Sequence, residues 1–149
     1  VRNSGKLRAF FDVIAYAEGT DRKHGYYTLY TGIRINDLSD HPRRVIRSMH
    51  KGRPLHSSAA GRYQIKRSIW DTLAKRLGLR SFAPLDQDVA AAELLREIGA
   101  LEDIIHDRFA DAVKKACKIW ASFPGAPYGQ RTISLRELHF VYLAALDLY

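Results

Sequence analysis

Between His24 and Asn36 the chain abandons the three- and four-residue apolar spacing that governs most of what surrounds it. The run Tyr26-Tyr27-Thr28-Leu29-Tyr30-Thr31-Gly32-Ile33-Arg34-Ile35 is rich in aromatic and β-branched residues. Such a run favours a short hairpin or small sheet over another helical turn. One interruption of this kind in an otherwise helical pattern predicts an α+β fold, mostly helical with a small β element.

The helical pattern starts at once. Ser4 is a suitable N-cap, and Leu7, Phe10, Phe11, Ile14 and Ala17 form one apolar stripe, predicting a helix over 4–17 with Gly19 just beyond its end. Ser39-Asp40-His41-Pro42 reads as a turn or a capped short helix, and 51–60, with Gly52, Pro54, Ser57 and Ser58, as an exposed loop. Helices are predicted over 68–77 before Gly78, 86–98 before Gly99, and 107–121 before Pro124-Gly125. A last helix opens with the capping-box pattern Ser134-Leu135-Arg136-Glu137 and carries Leu138, Tyr142, Ala145 and Leu146 toward the core. Trp70 and Trp120 fall on helical stripes and read as core residues.

At 149 residues, 46% of them hydrophobic, the chain suits one globular domain. The single Cys117 excludes an internal disulfide and any multi-cysteine metal centre, so packing alone must hold the fold. The six histidines lack ligand spacing with cysteine or carboxylate partners, so neither metal nor cofactor is expected. No apolar run reaches the roughly 18 residues of a membrane span, and Val1-Arg2-Asn3-Ser4 does not open a secretory signal. The net charge of +8 favours an anionic polymer: nucleic acid, acidic wall material or a membrane face. The basic residues are dispersed and no recognition helix is visible, so nucleic acid is not expected as the partner.

One acid stands out. Glu18 closes the first helix, where the macrodipole disfavours a carboxylate by about 0.3–1 kcal/mol. That alone moves a pKa by less than one unit, so burial beside Phe10, Phe11 or a tyrosine-lined cleft must supply the rest if Glu18 is to act as a general acid. From position alone, a solvated helix-end glutamate is the alternative.

The surrounding motifs weigh on that choice. In order they are Glu18-Gly19-Thr20, His24-Gly25-Tyr26, Ser39-Asp40-His41-Pro42-Arg43, Ala60-Gly61-Arg62-Tyr63-Gln64, Gln87-Asp88 and Gly99-Ala100-Leu101. Ile119-Trp120-Ala121-Ser122-Phe123-Pro124-Gly125-Ala126 and Tyr128-Gly129-Gln130 complete the series. Taken in this order and spacing, the set resembles the phage lambda endolysin family of peptidoglycan lytic transglycosylases, over about Leu7 to Gln130.

The resemblance implies a lysozyme-like single domain over 1–149, acting as a monomer on peptidoglycan glycan strands. It places the catalytic acid on Glu18 and sugar contacts on Tyr63 and Gln64 of the cleft wall. Tyr128 and Gln130 fall on a second lip, opposite the loop formed by about Lys51 to Ser58. The expected reaction cleaves the β-1,4 bond between N-acetylmuramic acid and N-acetylglucosamine and leaves 1,6-anhydromuramic ends.

Two departures stand out: the link Asp21-Arg22-Lys23 is shorter than the resemblance implies, and Tyr27 stands where it implies an aspartate. A hydrolytic muramidase using Asp21, Asp37 or Asp40 as second carboxylate is the nearest alternative, and a non-catalytic basic wall- or nucleic-acid-binding module is the other. Synthesis in the host cytoplasm and action on the periplasmic wall are expected.

Overall fold

The computed structural model describes residues 2–129 and 131–149. The chain divides into two compact units, Val1–Glu18 with Ala91–Tyr149, and Gly19–Ala90. Helix α3, Pro84–Glu97, carries the chain from one into the other.

The first unit is helical. Its opening helix α1, Asn3–Glu18, buries Gly5, Ala9, Phe10, Phe11, Val13, Ile14 and Ala15, a wider face than the predicted stripe. A helix apolar over so much of its circumference belongs in the middle of a core. Helices α4, Ala100–Ile105, and α6, Leu135–Leu146, pack against it, and α5, Phe109–Ala116, packs on α4.

Aromatic rings fill the centre. Phe10 meets Phe109, Phe123 and Tyr142 with centroids 5.9, 6.2 and 6.4 Å away, and Phe109 stacks on Tyr142 at 4.8 Å. Edge-on and offset contacts of this kind add to what area burial alone contributes. At α6 the Ser134 side chain caps the helix as expected, accepting from Glu137 N at 3.2 Å, while the Glu137 carboxylate accepts from Tyr16 Oη at 2.8 Å; Leu138, Tyr142 and Ala145 are buried. The helix predicted over 107–121 is shorter than expected, and α4 precedes it as a separate helix with no counterpart among the predicted elements. The left-handed Asp107 (φ 59°) is what parts the two.

In the second unit the paired strands do not lie where they were expected. Residues 24–36 form two short 3₁₀ turns, Gly25–Tyr27 and Tyr30–Gly32, joined to their surroundings by the isolated bridges Thr28↔Arg34 and Leu29↔Ala60. Thr31 has φ 70°, and this left-handed residue turns the chain back before a strand can propagate. The hairpin instead joins β1, Ile46–His50, to β2, Arg53–Ser57, in antiparallel register from Ile46↔Ser57 to His50↔Arg53.

That hairpin falls largely on the segment read as an exposed loop. Lys51 (φ 49°) and Gly52 (φ 76°) supply the two successive positive φ values that a two-residue turn between twisted strands requires. Helix α2, Arg67–Leu77, follows and buries Trp70 and Leu73. Trp70 packs edge-on against Phe82 at 4.7 Å, and the His41 ring lies 5.0 Å from Phe82. Both tryptophans are core residues, each 2% exposed.

His41 is itself buried. Its Nδ1 accepts from Arg43 N at 2.9 Å, so its Nε2 carries the proton and donates to Ile65 O at 2.8 Å. Burial lowers its pKa below the ordinary histidine value, consistent with a neutral ring that serves as a structural spacer. Among the described residues no helix is long and apolar enough to cross a membrane, and no three His, Cys, Asp or Glu side chains gather as a metal site.

Candidate active site

The first unit supplies the acid. Glu18 ends α1 and Gly19 follows with φ 73°. The residue is half-buried, and its Oε1 accepts a hydrogen bond from Ser122 Oγ at 3.2 Å. Ser122 is held in turn by its carbonyl, which accepts from Ile133 N at 2.8 Å.

Desolvation by burial raises the Glu18 pKa from 4.5 to about 7, against the lesser opposing pull of the Ser122 hydrogen bond. A carboxyl poised there is substantially protonated at neutral pH and can also receive a proton back. That is the property required of a group serving first as general acid and then as general base. The solvated helix-end alternative does not describe this environment.

The second unit carries the Ala60-Gly61-Arg62-Tyr63-Gln64 segment. A Cβ on Gly61 would lie 2.2 Å from Gln87 Oε1, which shows why glycine stands there. Gln87 is 1% exposed and fully engaged: its Oε1 accepts from Arg62 N at 2.9 Å, while its Nε2 donates to Tyr26 O at 3.1 Å and Phe82 O at 2.7 Å. Thr20 Oγ1 donates to Arg62 O, tying the segment to the stretch that follows Glu18 in sequence. Gly25 is equally constrained, because a Cβ there would sit 2.0 Å from Thr20 O.

Tyr63 departs from its expected role as a direct sugar contact. It is 0% exposed; its hydroxyl donates to Asp88 Oδ1 at 2.5 Å and its ring meets Tyr26 edge-on at 6.3 Å. A ring enclosed in this way offers no face to a sugar. Tyr26 also donates to Asp88 Oδ1, at 2.9 Å, and the Arg62 guanidinium lies 5.5 and 5.6 Å from the Tyr26 and Tyr63 ring centroids. Burial, reinforced by the Asp88 carboxylate, pushes the Tyr63 phenol well above its usual range, so it remains a donor. Tyr63 is a core residue.

Gln64 is half-buried at φ 49°, with Nε2 donating to Gly61 O at 2.9 Å and Thr28 O at 3.1 Å. Tyr128, in the first unit, is 52% exposed and anchored at its tip, where the hydroxyl donates to Lys118 O at 2.8 Å. Gln130 lies outside the described residues.

The acids proposed as second carboxylates are set in loops. Asp37 accepts from Ser39 N at 2.8 Å, which holds its carboxyl below the usual range. Asp40 accepts from His41 N at 2.7 Å and from Arg43 Nε at 3.1 Å, while Asp21 is exposed. Turn and cap formation accounts for the first two. Sequence reasoning gives no role to Ser122, Arg62 or Asp88; Ser122 meets Glu18 across 104 residues and Asp88 meets Tyr63 across 25, separations that leave no local signal.

Residues 8–147 match the family model described as Endolysin. The chain is 40% identical to the endolysin of Escherichia phage lambda over 136 residues, covering 87% of this chain and 84% of that protein. It is also 40% identical to the endolysin of Escherichia phage P2 over 157 aligned positions, covering 93% and 92%.

Among solved structures, a bacteriophage lambda lysozyme complexed with a chitohexasaccharide superposes with a TM-score of 0.87 at 37% identity, over 97% of this chain and 95% of that one. A second structure of lysozyme from bacteriophage lambda gives 0.77 at 35% identity, over 99% and 92%. Agreement of sequence and backbone over nearly the whole length extends the lysozyme-like fold beyond the local motifs that suggested it, and the chain belongs to the endolysin family.

Proposed function

We propose that this protein is a peptidoglycan lytic transglycosylase in which Glu18 carries both proton transfers. The observation that carries the reading is the half-buried Glu18 carboxyl beside Ser122, with its pKa near 7. Protonated Glu18 donates to the glycosidic oxygen as the bond from muramic C1 breaks. The resulting glutamate then takes the proton from the muramic C6 hydroxyl as that oxygen closes on C1 to form the 1,6-anhydro ring. Each cycle returns Glu18 to its starting protonation state. An internal nucleophile brings a high effective molarity, so one carboxyl suffices where water attack requires a second.

Gln64, Tyr128 and Gln130 are proposed to contact the glycan, with Tyr63 supporting the Gln64 segment from within rather than touching sugar. Residues 1–149 act as one catalytic domain, a monomer needing neither metal nor cofactor. The protein is made in the host cytoplasm and acts on the periplasmic wall, reached through a membrane lesion made by another factor. Likeness to a lysozyme complexed with a chitohexasaccharide supports a glycan of N-acetyl sugars as the substrate class.

Mass spectrometry of muropeptides released by the purified protein tests the reaction type. Anhydromuramic ends are expected; exclusively reducing ends assign the hydrolytic reaction instead. The +8 charge adds a second expectation. Attraction to anionic wall polymers is screened as the Debye length shrinks, so turbidity clearance should slow severalfold between low and about 0.3 M salt. A salt-independent rate removes the electrostatic part.

Tyr63→Phe separates the two roles for that residue. Loss of its hydrogen bond to Asp88 should cost about 1–2 kcal/mol and lower Tm, with KM little changed. A raised KM at unchanged Tm returns Tyr63 to direct sugar contact.

A further inference from the structure

The hairpin carries exposed cations with no acid among them. From Arg44 to His56 there are four cations, Arg44, Arg47, Lys51 and Arg53, and no aspartate or glutamate. All four are exposed, and none pairs with an acid among the described residues. Arg43, just before them, is already committed to Asp71 and Asp40.

The pleat sorts the remaining side chains. Ile46, Ser48 and His50 face inward with Leu55 and Ser57, all half-buried, and Ser48 meets the Tyr30 hydroxyl at 2.9 Å. The opposite face bears Val45, Arg47 and Met49 beside Pro54 and His56, all exposed. Met49 is 69% exposed and Val45 43%. This face is therefore an apolar strip with Arg47 inside it, while Lys51 of the turn and Arg53, paired with His50, stand at the hairpin's tip.

We infer that the outer face of the β1–β2 hairpin docks on an anionic lipid membrane, with Arg47 within that face and Arg44, Lys51 and Arg53 around its edge reaching headgroup phosphates, and Val45, Met49 and Pro54 seated at the acyl boundary. Unpaired cations meet the negative surface potential, and the apolar strip gains from leaving water, as at other interfacial amphiphilic elements. A hydrophilic polymer, whether wall glycan or nucleic acid, answers the charge but leaves Met49 and Val45 in water. The hairpin also shows none of the exposed aromatics on which bases would stack. Helix α6 and the residues after it expose Phe140, Leu143 and Leu148, but there the one cation Arg136 stands against the acids Glu137 and Asp147, so that face lacks a net positive charge.

Co-sedimentation of the full chain with vesicles tests the proposal. Binding is expected to vesicles of phosphatidylethanolamine with about one-third phosphatidylglycerol, and not to pure phosphatidylcholine. Each cation near such a surface contributes about a factor of five in partitioning, so Arg47→Gln with Lys51→Gln should weaken binding on the order of 30-fold. Met49→Asp should weaken it comparably, whereas Phe140→Ser should leave it intact; circular dichroism and Tm confirm that each variant is folded.

Equal binding to neutral vesicles overturns the proposal, as does loss of binding in Phe140→Ser alone. Sensitivity to the two charge substitutions with indifference to Met49→Asp also overturns it, because it assigns the face to a hydrophilic polyanion. Measurement of binding alone keeps the test independent of Glu18 and of the reaction type.

Discussion

Glu18→Gln is expected to lower peptidoglycan cleavage by about three orders of magnitude while raising the melting temperature at pH 8. The first effect follows from removing the group proposed to transfer both protons; positioned acid–base groups are worth roughly 10² to 10⁴ in rate. The second follows from linkage. The folded protein holds the Glu18 proton up to about pH 7, whereas the unfolded chain releases it near 4.5. Between those values the folded state binds more protons, so stability declines as pH rises through the window and levels off above it.

The ionised, half-buried carboxylate therefore costs wild type on the order of 3 kcal/mol at pH 8. Glutamine carries no charge at any pH and should recover most of that, roughly 5–10 °C at this chain length. At pH 4.5 the two proteins should melt at nearly the same temperature. Calorimetry at both pH values, with a turbidity assay, checks the pair of effects. A variant that clears walls normally and melts like wild type at pH 8 removes Glu18 from the mechanism. The same titration should give wild-type cleavage an alkaline limb that falls as pH rises through about 7, as the proton donor is lost.

Gly61→Ala should destabilise the fold by at least about 3 kcal/mol, lowering Tm by roughly 10 °C. Two causes add. The backbone at Gly61 has φ +79°, which disfavours any residue with a Cβ, and the new methyl would meet Gln87 Oε1 at 2.2 Å and Phe82 Cζ at 2.8 Å. Gln87 cannot swing aside without giving up its bonds to Arg62, Tyr26 and Phe82. Gly32→Ala isolates the backbone part, since that position has φ +89° and open space where its methyl would stand, with nothing within 4 Å. It should cost only about 1–2 kcal/mol. Urea denaturation of both variants gives the difference directly. Equal losses show that the Gln87 shelf yields easily and carries little of the second unit's rigidity.

How much of this is legible in the sequence depends on the range of the interactions involved. Helix ends read well where capping is local: Ser134 with Glu137, Gly78 after α2 and Gly99 after α3 all stand as expected. The hairpin lies elsewhere than expected because aromatic and β-branched content at 24–36 outweighs a less familiar turn pair, Lys51-Gly52, whose backbone angles set the strand pairing. The site divides along the same line. Glu18 stands out at a helix end, but that position alone leaves an ordinary solvated glutamate open, and its elevated pKa comes from burial that no local pattern announces. The motif around Tyr63 marks the residue without giving its role, because only the three-dimensional arrangement shows that its hydroxyl is spent on Asp88, 25 residues away.

The neighbour that touches Glu18 is a neutral hydroxyl rather than a countercharge. A carboxyl tuned by solvent exclusion and one uncharged donor can have its pKa moved in either direction by small substitutions near Ser122, since no cation among the described residues pairs with it. The pH at which Glu18 gives up its proton is thereby open to single mutational steps.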